Sequence, residues 1–243
     1  MALVLSYTPE SYKTLPSLKT AHKNFKEKSG RDALDGEILH LFEEYPDARR
    51  NFGLQLLHRH FSMSKDEILV EVERTSSPWH IKNLGDDASL MQGRVYPRSF
   101  RLSSDPDGPK FKPYEFRYLL DGEEPLSDPN DPQNAAFAEK LASLLKKYSL
   151  ESVLGINALT PEIKPLRGFK GDPSWLWEKT IGKANILFPI SELGKDSIEA
   201  IFVFTGKGEG VTMAAQCSSP CVCKGPGMDS TEDWDSGDET ETE

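Results

Sequence analysis

Apolar residues recur at Ile38, Leu41, Phe42 and Tyr45, at offsets of 0, 3, 4 and 7. That spacing predicts one buried face of an α-helix. Asp35 is placed to cap the helix and Pro46 to end it. The same offsets return at Leu141, Leu144, Leu145 and Tyr148. This second run follows Asp131-Pro132, which offers a cap and a first-turn proline. Alternation or short apolar runs predict strands at 52–61, 67–73, Arg94 to Leu102, Phe111 to Leu120, Ala184 to Ile190, Ile198 to Phe204 and Val211 to Gln216. The first two flank a short Ser62-to-Asp66 turn and read as a β-hairpin. Asp105-Pro106-Asp107-Gly108 supplies a turn between the next two. Pro97 and Pro113 lie inside those runs, which predicts edge strands or irregular segments, because proline cannot donate to a ladder.

Two principal helices and many strands in hairpin order imply an α+β fold with a largely antiparallel sheet. Each helix leads through a short polar loop into a similar strand, Phe52-Gly53-Leu54-Gln55-Leu56 or Leu154-Gly155-Ile156-Asn157-Ala158. Within one domain over 32–216, a helix-plus-hairpin unit duplicated over 32–120 and 131–216 would give this pattern. Chance helical periodicity would give the helix faces alone.

The 243-residue chain is long enough to build a core without disulfides. Its apolar runs are too short to span a membrane, and no signal-peptide pattern opens it. The formal net charge is −10, but residues 228–243 hold eight acids and no Lys or Arg. Without them 31 acids face 29 bases, so the acidity belongs to a tail. That tail is expected to be disordered. In it Ser230, Ser236 and Thr240 each precede an acid by three residues, a pattern suited to phosphorylation. Residues 1–31 form a basic polar arm. Its bases are spread out, which makes a nucleic-acid contact the weaker reading beside a solvated or partly packed segment.

The chemistry concentrates in Leu56-Leu57-His58-Arg59-His60-Phe61. On a strand His58 and His60 would share a face and could hold a divalent metal, given a third ligand. Further ligands are available in His80, Glu67, Glu71 and the cysteines Cys217, Cys221 and Cys223, which begin the segment 217–243. Depending on register, His58 faces Val70 or a carboxylate such as Glu71, and the second case gives an acid–base pair. The alternative is two packed histidines, with Arg59 paired to Glu71. Thr205-Gly206-Lys207-Gly208-Glu209-Gly210 lacks P-loop spacing and leads into a strand, so it reads as a hairpin turn. Trp175 and Trp177 suit a core or a pocket wall.

The run from Leu56 to Phe61, followed by Glu67-Ile68-Leu69-Val70-Glu71, resembles a group of uncharacterised proteins from filamentous fungi. In them a strand close to L-L-H-[RK]-H-F precedes an E-x-L-V-E-like strand. The likeness covers the first helix and hairpin. It implies a cytosolic accessory protein near specialised (secondary) metabolism and supplies no activity or catalytic residue. Two expectations follow: a cytoplasmic accessory or interaction protein, or a small-molecule enzyme, metal-dependent, built on His58 and His60.

Overall fold

A computed structural model describes residues 10–84, 94–104, 110–160, 175–190, 197–204 and 210–218. The strands are β1 (Phe52–Leu56), β2 (Glu67–Val72), β3 (Thr75–His80), β4 (Val95–Leu102) and β5 (Phe111–Tyr118), then β6 (Leu154–Ala158), β7 (Trp175–Ile181), β8 (Ala184–Ile190), β9 (Ser197–Phe204) and β10 (Val211–Ser218). They close into a barrel in the order β1-β6-β4-β5-β2-β3-β8-β7-β10-β9. Its ladders are antiparallel except β2–β5 and β7–β10. The α+β class with a largely antiparallel sheet is therefore right, and closure leaves that sheet no edge.

Among the described residues five short helices precede β1: α1 (Glu10–Lys13), α2 (Leu18–Glu27), α3 (Gly30–Ala33), α4 (Leu39–Glu44) and α5 (Pro46–Asn51). A π-helical turn, Leu34–Ile38, joins α3 to α4. The longest helix among the described residues, α6 (Ala135–Lys147), precedes β6. The segment expected as a basic arm folds from residue 10 onward and buries Tyr12, Leu15, Leu18, Ala21 and Phe25. Pro46 does not merely end a helix. It opens α5 at the first-turn position, where its missing N–H is not needed. Among the described residues no helix is long and apolar enough to cross a membrane.

Three strand expectations change. The first strand stops at Leu56, not at residue 61, and its partners are β6 and β9. The strand β2 pairs instead with β3 and β5, so 52–61 and 67–73 are not a hairpin. Two backbone bonds give the cause: Leu57 N donates to Val153 O at 2.8 Å, but Arg59 N donates to Pro16 O at 2.9 Å, which draws the chain out of the sheet. Pro97 and Pro113 lie in inner strands, beside bulges where β4 and β5 lose register. An interrupted ladder tolerates a missing donor.

The ring of strands maps onto itself when every strand is advanced by five. The residues follow suit. Leu54 lies opposite Phe202 and Gln55 opposite Ile201, while Ile156 lies opposite Phe100 and Asn157 opposite Ser99. Asn157 follows Gln55 by 102 positions, and so does each other member of this set follow its counterpart. The double bulges correspond too: Ser99–Glu115 and Phe100–Pro113 in one half, Ile201–Ala215 and Phe202–Met213 in the other. Two copies of one unit over 32–120 and 131–216 would make this arrangement.

Phe52, Leu54, Leu56, Leu154, Ile156, Phe202 and Phe204 join the helices in the main core. There Phe42 of α4 stacks on Phe204 with ring centroids 3.7 Å apart. Because side chains alternate along a strand, the residues between these face the lumen. The lumen is two-toned. On one side sit the buried Gln55, Glu71, Ser99, Glu115 and Arg117; on the other sit Leu159, Leu176, Leu187, Ile201, Val203 and Ala215.

Candidate metal centre

The segment after β1 carries both histidines without strand geometry. Leu57 N still bonds to β6's approach, and His58 follows it inward with 2% of its surface exposed. His60 is held by its backbone N–H, which donates to the Tyr12 hydroxyl of α1 at 3.1 Å. Its side chain is 4% exposed. The two rings meet edge to face with centroids 4.7 Å apart. They therefore do converge, but through a loop pinned by the N-terminal helices.

The parallel β7–β10 ladder sets Glu178 opposite Cys217. The Cys217 thiol donates to Glu178 Oε2 at 2.7 Å. His58 Nε2 lies 3.2 Å from the same sulfur. One ligand atom from each of His58, His60, Glu178 and Cys217 lies within 4.8 Å of the other three. Tetrahedral zinc holds such donors about 3.5 Å apart, so a small contraction would complete a site.

The hydrogen bonds choose the tautomer. His58 Nδ1 lies 2.8 Å from the Leu56 carbonyl oxygen, which can only accept, so Nδ1 carries the proton. The bare Nε2 lone pair then points at Cys217, in the way a backbone carbonyl orients a metal-binding imidazole. The thiol has one proton and two acceptors. Given to Glu178, it leaves a sulfur lone pair facing a nitrogen lone pair, and a cation between the two would relieve this. The donor set of imidazole, carboxylate and thiolate suits zinc.

The electrostatics agree with this arrangement. Burial, followed by the neighbouring His60, pushes the His58 pKa down to about 4, so the ring is a neutral ligand at pH 7. Burial and then the Glu178 carboxylate push the Cys217 thiol well up, so it keeps its proton until something replaces it. For Glu178 burial is the largest influence and acts upward, but His60, His58, the hydrogen bond from the Cys217 thiol and Arg98 act together against it and hold the carboxyl below its ordinary value.

Beside the cluster runs a buried polar network. Arg98 Nη1 lies 2.8 Å from Glu71 Oε2, and Arg117 Nη1 lies 2.6 Å from Glu71 Oε1. Ser99 donates to Glu115 Oε2 at 2.8 Å, and Asn157 donates to Gln55 Oε1 at 2.6 Å. Glu115 Oε1 lies 3.7 Å from His60 Nε2. It has no hydrogen-bond partner among the described residues. Glu71 thus belongs to the arginines: it neither faces His58 nor pairs with Arg59. His80 lies apart, 42% exposed and bonded to Asp66, with Glu67 beside it. Cys221 and Cys223 lie outside the described residues, as do Ser230, Ser236 and Thr240. Trp177 is a half-buried residue of β7. Glu178 was not singled out in the sequence. Its signal was a carboxylate in the middle of Trp-Leu-Trp-Glu-Lys-Thr-Ile, at an inward strand position. No family model, curated protein or solved structure matches the chain.

Proposed function

We propose that this protein binds one divalent transition-metal ion, zinc by its donor set, through His58, His60, Glu178 and Cys217, and acts as a metal-loaded binding or accessory protein. The convergence of these four ligand atoms carries the reading. A thiolate and a carboxylate match the charge of a divalent ion, and the thiol proton leaves as sulfur binds. Four protein donors form a closed set, which is the mark of a structural rather than a catalytic ion. The cytosol suits a site that needs Cys217 reduced.

Metal content of the purified protein tests this. One zinc per chain, lost in His58→Ala/His60→Ala, is the expected result. Metal-free protein whose melting ignores both zinc and chelator would overturn it.

A second reading, a metal-dependent enzyme, is favoured by Glu115. Its buried Oε1, 3.7 Å from His60 Nε2 and without a hydrogen bond among the described residues, stands beside the site as a proton acceptor. Turnover of ester or phosphoester substrates by loaded protein, abolished in Glu115→Gln, would move the assignment to it.

A further inference from the structure

The two parallel ladders are equivalent. In one, Leu69 lies opposite Glu115 and Glu71 opposite Arg117. In the other, Leu176 lies opposite Ala215 and Glu178 opposite Cys217. The bulges fix the alignment independently, since Ser99 pairs with Glu115 as Ile201 pairs with Ala215. Glu178 is therefore the counterpart of Glu71, and Cys217 of Arg117. The bulged Arg98 has Ala200 as its counterpart, 102 positions on. By the same displacement His58 corresponds to Thr160, which is buried and whose hydroxyl has no hydrogen-bond partner among the described residues.

We infer that the metal ion is the second half's substitute for the arginines of the first: a cation that ties β7 to β10 as the Arg117 guanidinium ties β5 to β2. Each half keeps the carboxylate. In the first half two guanidiniums reach it, at 2.6 and 2.8 Å. In the second half their places go to a methyl group and a thiol, and the room goes to His58, which has no imidazole counterpart. What the second half loses in guanidinium donors it regains as metal ligands. The inference rests on the proposed metal binding and adds the ion's role: it locks one ladder of the barrel, and a fixed cation can do the same work.

The test grafts the first half's arrangement onto the second. His58→Thr/Cys217→Arg is compared with His58→Thr/Cys217→Ala and with the native chain, each with zinc and with chelator, at pH 8. The native protein should lose at least 5 °C of Tm on chelation. The arginine graft should melt within 1 °C under both conditions and at least 5 °C above the alanine control. A graft no more stable than that control overturns the inference. Hydrogen exchange on the native chain gives an answer that needs no variant to fold. Zinc should slow exchange at least tenfold in the β7–β10 ladder and leave β2–β5 unchanged; equal slowing in both ladders, or none in β7–β10, also overturns it. A native chain that takes up no zinc would instead remove the proposed function.

Discussion

Gly155 lies so close to Phe100 that a Cβ on it would sit 2.4 Å from the Phe100 carbonyl oxygen. Gly53 stands in the same relation to Phe202, at 2.6 Å. The side chains nearby correspond as well, Leu57 in one case and Leu159 in the other. Backbone cannot swing aside as a side chain tip can, so the β4–β6 and β1–β9 ladders would have to part. Gly155→Ala and Gly53→Ala should each destabilise the fold by about 2–3 kcal/mol. Urea denaturation measures this, and a loss below about 0.5 kcal/mol would show that the strands are not packed so tightly.

His58 sets a pH dependence for the metal-free protein. Its folded pKa of about 4 lies below the ordinary 6.5. Between those values the unfolded chain takes up a proton that the folded chain refuses. Stability is unaffected above pH 6.5 and falls as pH drops toward 4, by up to about 3 kcal/mol from this group. Denaturation of chelated protein at pH 7.5, 5.5 and 4.5, beside His58→Gln, isolates the effect. The variant should lose that part of the slope; identical slopes would mean that His58 does not titrate in this way.

The N-terminal segment positions the candidate site. Tyr12→Phe removes the hydroxyl that accepts from His60 N and leaves the buried ring in place. A lost hydrogen bond of about 1 kcal/mol should weaken zinc binding about fivefold. Competition titration with a zinc indicator reads this directly. Unchanged affinity would show that the loop is held by its other contacts alone.

Local pattern carried part of the fold. β4, β5, β8 and β9 were legible because each alternates or runs apolar between turn residues, and α6 because its offsets repeat at 3 and 4. The apparent strand 52–61 misled because His58 and His60 extend the alternation of Phe52, Leu54 and Leu56 past the true end of β1. What stops it, Pro16 taking the Arg59 N–H, is a contact between distant segments. Pro97 and Pro113 suggested edges because bulges leave no signature in single residues. The histidines stood out by composition, and Cys217 by its neighbours. Glu178 did not, since only the register of β7 on β10 turns it toward them. The pairing of Glu71 with Arg98 and Arg117 was hidden for the same reason: three separate strands bring them together.

The place of β1 in the ring has a consequence for synthesis. Its partner β6 begins about a hundred residues further on and β9 about 140, which at ribosomal rates of roughly 5–20 residues per second is about 5–30 s. Through that interval the apolar face of Phe52, Leu54 and Leu56 has no strand beside it. The helices that cover this face, with Phe25, Leu34, Ile38 and Phe42, have by then already left the ribosome. The nascent chain thus carries its own cover for its first strand and holds that strand apart from other chains until the barrel can close.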